Sequence, residues 1–431
     1  LYDDDCPHCK GKHPTAETDL PPGYMDDLEK LRSSIIERAM KGEDLDSLLD
    51  LTVKTLSERV IDSYQVAAEF STPDAEMLTR LVRDVWYFSG AKNYQEMRDL
   101  TLLLKDDKGK LREFDDFKEA AEGVIDRYNE SWLKTEYNFA VSSSQSAARW
   151  VEFEKEASII PNLKYQTVGD DHVRLSHQVL DGIIRPVNDS FWITHYPPNG
   201  WGCRCEAVQS LDGYGKVTPD HNIPVVDIPK MFETNLAKTG LIYPKNHPYY
   251  NGVPKAEISK ALAYLPPKNT FIDIDFGNNV ILDIHPLHGD KELSANIDLT
   301  RLLKRFDPKA EIKLMPIISE KDMNARRLYY PETYLKKYPT RNADILYNGK
   351  IFELENANGS KSSIQNAIKN GKKQADNIVI RIPDSIDINQ ADQIIKGQLN
   401  HYRDTEDLQV WLVNSSEKLE YKTNKSSNNR S

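Results

Sequence analysis

Residues 343–356 read ADILYNGKIFELEN. DILY and KIFEL flank Asn348-Gly349, and this dipeptide between two β-type runs is a strong hairpin signal because both turn residues tolerate positive φ. Asp344 opens the first strand. Glu353 and Glu355 lie two apart on the second, and a strand period of two puts both carboxylates on one face. The neighbouring sequence builds a domain around this hairpin. TFIDIDF and NVILDIH surround the turn Gly277 to Asn279, followed by a helix over Leu293 to Phe306 and the strand EIKLMPI. Beyond the hairpin come a helix from Ser362 to Ala375, the strand NIVIRI, a helix from Gln390 to Tyr402 and the strand LQVWLV, with Gln374 near the end of the first of these helices. Alternating strands and helices imply an α/β domain with a central sheet over residues 270–420. The polar end, residues 421–431, reads as a disordered tail.

Upstream the pattern changes. Residues 26 to 104 show apolar positions at helical spacing, as in Leu45, Leu48, Leu49, Val53 and Leu56, with Pro73 and Gly90 as breaks, and read as a helical bundle. A second helical stretch, Phe114 to Glu156, carries Trp132, Tyr137, Phe139 and Trp150, aromatics spaced as core residues. From Leu163 to Leu211 the segments are short and rich in Gly, Pro, His and Trp. Residues 212–269 contain eight prolines and read as an extended connector with at most short helices such as Pro229 to Thr239. The expected division is a Cys/His-containing segment over 1–25, a helical bundle with an irregular α+β domain over 26–211, a Pro-rich connector over 212–269, the α/β domain, and the tail.

A chain of 431 residues suggests two or three folded units. With 39% hydrophobic and 29% charged residues, and no apolar run near the roughly 18 needed to cross a bilayer, it reads as globular without a membrane span. The start at Leu1 suggests that a longer reading frame precedes it. The net charge of −11 is uneven: residues 1–270 hold 32 basic and 44 acidic residues, residues 271–431 hold 24 and 23. An acidic front argues against nonspecific nucleic-acid wrapping there. Lys304 to Lys350 has 11 basic and 6 acidic residues, and Lys361 to Lys373 adds four lysines and no acid. RNA, if bound, is expected on these runs, with Arg326, Arg327, Arg341, Lys350, Lys372 and Lys373 as contacts. The four cysteines fall in two close pairs, Cys6 with Cys9 and Cys203 with Cys205, which suits Zn2+ or local structural roles in a reducing compartment better than long disulfides.

The stretch VGDDHVRLSHQVLDGIIRPVNDSFWITHYPPNGWGCRCEAV combines Arg174, His177, Asp181, Gly182, Pro197-Pro198, Gly200 and Cys203-Arg204-Cys205. In this order the residues resemble the phage Mu F-type head morphogenesis domain of minor capsid proteins, over roughly residues 50 to 210. The resemblance implies a structural role in the phage head, with portal and capsid proteins as partners, in the virion or in the bacterial cytoplasm during assembly or after delivery. It carries no enzymatic activity. Zinc could also use His172, His177 or His195, or an Arg174–Asp181 ion pair could order the loop instead.

The run from VILDIHPLHGDKELSANIDLTRLLKRF through ADILYNGKIFELEN to SSIQNAIKNGKKQADNIVIRI and LQVWLV resembles the C-terminal tRNA nuclease domain of contact-dependent growth inhibition toxins, over about residues 270 to 420. The resemblance implies a tRNA-cleaving effector and an immunity protein as partner. That family usually has Glu, apolar, Lys where this chain has Glu353, Leu354, Glu355, so the cation is expected elsewhere, at Lys350, Lys361 or Lys373. Two mechanisms stand open. In the metal-independent one, preferred on family grounds, Glu353 is the base, His285 or His288 the acid and Lys361 or Lys373 the cation. In the other, Asp344, Glu353 and Glu355 hold Mg2+. The rival overall reading is a purely structural capsid protein with an inactive or binding-only C-terminal domain.

Overall fold

The computed structural model describes residues 19–68, 74–211, 216–267, 270–276, 280–402 and 406–423, and the chain divides into two compact units, residues 1–265 and 266–431. Among its described residues the first unit has the helices α1 (Tyr24–Lys41), α2 (Asp46–Ala67), α3 (Ala75–Leu102), α4 (Phe114–Asp126) and α5 (Trp132–Glu156), the last two joined through a π-helical turn at Arg127–Ser131. Gly42 ends α1 at φ +69°, and the Asp74 carboxylate caps α3 by accepting from Met77 N–H at 2.8 Å. The periodic Leu45, Leu48, Leu49, Val53 and Leu56 are all buried, as are Tyr137, Phe139 and Trp150, while Trp132 is half-buried against Tyr128. Between the helices lies a charged core. Lys92 Nζ is 2.6 Å from Glu136 Oε2, Tyr249 donates to Glu136 Oε1 at 2.8 Å, and Asn129 donates to Glu96 Oε1 at 2.7 Å. Burial pushes the Glu96 carboxyl up to about 8.

After α5 comes a three-stranded antiparallel sheet, with β1 (Asn162–Gln166) between β2 (Ile184–Pro186) and β3 (Glu206–Gln209); the short helices α6 (Leu175–Gln178) and α7 (Phe191–His195) interrupt it. Residues 216–265 differ from the extended connector that their prolines suggest. They carry α8 (Leu236–Thr239) and α9 (Lys255–Ala263) and lie against the helices: Tyr243 stacks on Phe88 at 3.7 Å, and the Asp84 carboxylate accepts from the Ile242 and Tyr243 N–H groups. Gly90 is no break either. It lies inside α3, where an added Cβ would stand 2.7 Å from Ile258 Cγ2 of α9, so its smallness lets the two helices meet. Pro73, Cys6, Cys9 and the rest of residues 1–18 lie outside the described residues.

The second unit contains β4 (Ile272–Asp275), β5 (Ile281–Ile284), α10 (Leu293–Phe306), β6 (Ile312–Leu314), α11 (Met323–Tyr329), α12 (Glu332–Lys337), β7 (Ile345–Tyr347), β8 (Lys350–Asn356), α13 (Lys361–Gly371), β9 (Asn377–Arg381), α14 (Ile388–Leu399), β10 (Leu408–Val413) and β11 (Lys418–Thr423). The described strands form one mixed sheet in the order β11-β10-β9-β8-β7-β6-β5-β4. The Asn-Gly hairpin forms as its sequence predicts, with φ +46° at Asn348 and +77° at Gly349. Strands β8, β9 and β10 run parallel, as the intervening helices α13 and α14 require. Ile378, Ile380, Val410 and Leu412 face Ile364 and Ile368 of α13 and Ile388 and Ile395 of α14 in one core; Tyr347, Phe352 and Trp411 cluster separately. Residues 421–423, expected in a frayed tail, complete β11, which pairs antiparallel with β10; residues 424–431 lie outside the described residues.

Candidate functional site

In the hairpin, Tyr347 pairs with Lys350, Leu346 with Ile351 and Ile345 with Phe352. One step further along the same register sets Asp344 opposite Glu353, on the same face of the sheet. Glu353 and Glu355 pair in parallel with Ile378 and Ile380, so both side chains leave the sheet on the side covered by α13. Asp344 and Glu353 are buried and Glu355 is half-buried.

Two of the three, Asp344 and Glu353, are held by named donors. Asp344 Oδ2 accepts the Leu354 N–H at 2.8 Å, and Oδ1 accepts Asn296 Nδ2 of α10 at 3.1 Å. The same amide nitrogen lies 3.0 Å from His288 Nε2, and His288 Nδ1 lies 2.7 Å from the Met315 carbonyl. A carbonyl only accepts, so Nδ1 carries the proton and Nε2 receives the Asn296 amide. Gln374, just past α13, donates to Glu353 Oε1, while Glu353 Oε2 is buried with no hydrogen-bond partner among the described residues. The Tyr334 hydroxyl of α12 is buried in the same condition, and the charges of Glu353, Arg326, Asp344 and Arg341 all bear on it.

The electrostatics follow from crowding acids away from water. Burial, then the charge of Glu292 at the head of α10, holds the Asp344 carboxyl well above the carboxylate range, against the opposing pull of Leu354 N–H and Asn296. Glu353 is raised further, by burial and then by Asp344, Glu355 and Glu292. Burial and Glu292 push Glu355 up to about 7. Four acids therefore share one neighbourhood. Burying carboxyl groups beside one another costs stability unless a proton or a cation joins them, and such groupings concentrate at functional sites.

The structure brings Asp344, Glu353, Glu355 and Gln374 together. His288 adjoins them through Asn296, with both ring nitrogens engaged. His285 is buried, its Nδ1 accepting the Leu287 N–H at 3.0 Å and its ring edge-on to Phe271 and Tyr329, a turn-capping placement. Lys361, at the start of α13, and Lys350, at the start of β8, are exposed. Lys372 pairs with Glu406 at 2.6 Å and covers the Tyr402 ring; Lys373 reaches Asn370. Arg327 pairs with Glu332 at 2.8 Å, and Arg341 is exposed. Arg326 corrects the expectation of an RNA contact. It is fully buried, and its guanidinium donates to the Ile318 and Arg341 carbonyls and to Asn342 Oδ1, because a buried cation needs its donors satisfied. Glu292, Asn296 and Tyr334 were not singled out from the sequence. The first two are four residues apart at the head of α10, a helical spacing that puts them on one face, but only the tertiary fold brings that face to the hairpin.

In the first unit, Cys203 and Cys205 meet His177, whose Nδ1 is 3.6 Å from each sulfur. His195 instead stacks on Phe191 and bonds Thr194, Arg174 donates to the Trp201 carbonyl, and Asp181 accepts from Thr167.

Residues 91–208 match the family described as Phage Mu protein F like protein, and residues 341–419 match the contact-dependent growth inhibition CdiA C-terminal domain. The chain joins a Mu F-like domain to a CdiA C-terminal-like domain. The Mu F-like match starts inside α3 and ends in β3, so it includes His177, Cys203 and Cys205 but not α1 or α2. The CdiA-like match includes Asp344, Glu353, Glu355 and Gln374 but not Glu292 or Asn296. Protein F of Escherichia phage Mu, named for capsid assembly, is 38% identical over 73 residues, 17% of each chain. The Mu-like prophage FluMu F protein of Haemophilus influenzae is 41% identical over 68 residues, 16% of each chain. The chain thus matches less than a fifth of the length of these curated relatives. No solved structure matches it. No helix among the described residues is long and apolar enough to cross a membrane.

Proposed function

We propose that this is a phage head protein carrying an effector, in which the Mu F-like part associates with portal and capsid proteins in the virion and the CdiA-like unit cleaves RNA, with tRNA as the substrate class and an immunity protein as its natural antagonist. The observation that carries the reading is the opposition of Asp344 and Glu353 across the hairpin, with Glu355, Glu292 and Gln374 around them. A purely structural sheet gains nothing from burying Asp344 and Glu353 together.

Asp344, Glu353 and Glu355 offer the kind of oxygen ligands a divalent cation takes, and Glu353 keeps an unshared buried oxygen, but among the described residues the three do not converge into a ready ligand group, so a cation would have to draw them in. Mg2+ bound there would neutralise the acids and lower the pKa of a bound water. The chain's own residues do the rest. Leu354 N–H and Asn296 fix the Asp344 carboxylate, and Gln374 fixes Glu353 with Oε2 left to act. Exposed Lys350, Lys361 and Arg341 supply positive charge for the phosphate backbone, alongside Lys373. The metal-free alternative receives less support, because His288 already commits both ring nitrogens within the fold.

Inducing the full chain in bacteria, beside Glu353→Gln, tests the proposal. Growth arrest with truncated tRNA in the wild type, absent in the variant, is expected. Healthy cells with intact RNA in both would leave only the structural part of the reading.

A further inference from the structure

The first unit contains a cluster that the nuclease reading leaves unused. Among the described residues, His177, Cys203 and Cys205 form a group whose potential ligand atoms all lie within 4.8 Å of one another. His177 and Cys203 are buried and Cys205 is half-buried. The CxC spacing looks awkward for one ion in an extended chain, but Gly202, at φ +63°, turns the backbone immediately before Cys203, and both sulfurs come round to one imidazole nitrogen.

Hydrogen bonding alone accounts poorly for this arrangement. One imidazole nitrogen offers either one proton or one lone pair, yet two thiols converge on it at the same 3.6 Å. A single ion between them satisfies all three atoms. With Zn–S of about 2.3 Å and Zn–N of about 2.0–2.1 Å, a tetrahedral ion separates sulfur from nitrogen by about 3.6 Å. Observed and expected spacings coincide.

We infer that His177, Cys203 and Cys205 hold a Zn2+ ion, with the fourth position facing the adjoining pocket. Two thiolates and one imidazole neutralise the charge of a borderline-soft divalent ion and select it over Mg2+ or Ca2+. The pocket is lined by Val168, His172, Arg174 and Gly202 beside the three ligands. The ion's role here is to fasten α6 to the segment leading into β3. Beside it, Arg204 pairs with Asp170 at 2.7 Å at the surface, and Arg174 donates to the Trp201 carbonyl. The thiols are free rather than disulfide-bonded, as metal ligation requires.

The test uses the full chain expressed in zinc-supplemented medium and freed of loose metal by gel filtration. Elemental analysis is expected to find zinc in the wild type and in a Cys6→Ser/Cys9→Ser double variant, with loss of the corresponding equivalent in Cys203→Ser. A folded wild type reconstituted with Co2+ supplies a readout that does not depend on the variant's folding: sulfur-to-cobalt charge-transfer bands in the near ultraviolet, weakened by about half in Cys205→Ser. Wild type without zinc and without those bands would overturn the assignment, as would Cys203→Ser retaining the full zinc content of the wild type.

Discussion

Asp344 stands across the Asn348-Gly349 hairpin from Glu353, and each has its own neutral amide partner, Asn296 for the first and Gln374 for the second. Amides orient carboxylates without neutralising them. The pair therefore keeps its mutual repulsion, and that repulsion makes it responsive to protons and cations.

Replacing Glu353 with Gln keeps the shape and the acceptor oxygen that Gln374 uses while removing the charge. RNA cleavage is expected to fall by about 10²-fold or more, on the scale of losing a positioned acid–base group. The melting temperature of the second unit at pH 8 is expected to rise, since folding no longer has to put a proton back on a carboxylate that is ionised in the unfolded chain. Activity assays and scanning calorimetry on the same preparation check both.

Raised carboxyl groups set the sign of the pH dependence. The folded second unit binds more protons than the unfolded chain wherever pH lies between the ordinary carboxylate value, 4.5 for Glu355, and its folded value of about 7. Stability is therefore lost as pH rises through that window, and the loss continues above it until Glu353, raised to about 10, has also ionised. Divalent cations should restore it, so the rise in melting temperature caused by Mg2+ or Mn2+ is expected to be larger at pH 8 than at pH 5.5. A shift that is equal at both would contradict cation binding to these acids.

Asn296→Ala removes the donor shared by Asp344 and His288. Two buried acceptors lose a partner, which costs about 1–3 kcal/mol per group. Denaturant unfolding should register the loss, and cleavage should fall because Asp344 is no longer held.

In the first unit, Lys92→Met removes the cation 2.6 Å from the buried Glu136 carboxylate, and breaking such a pair costs about 3–5 kcal/mol. The unfolding transition of the first unit should move to lower temperature. That of the second unit should stay in place.

The hairpin was legible in the sequence because Asn-Gly fixes a two-residue turn, and from that turn the opposition of residues 344 and 353 follows by counting. The helices α10, α13 and α14 were legible from periodicity to within a few residues. Glu292 and Asn296 were not, since some fifty residues of chain separate them from the acids they face and local pattern does not encode that approach. Charge misled at Arg326, where the letter says cation and only burial says clamp. Prolines misled over 216–265: they mark turns on a surface that Tyr243 and Tyr249 anchor without helical or strand period. In β11, KLEYKT reads as polar tail because an edge strand can expose one face to water.

The central claim is tested most directly by incubating the purified full chain with bacterial tRNA in Mg2+, in EDTA, and with Glu353→Gln in place of the wild type. Cleavage by the wild type in Mg2+ alone is predicted. Intact tRNA in all three reactions, or equal cleavage by the wild type and the variant, would contradict it.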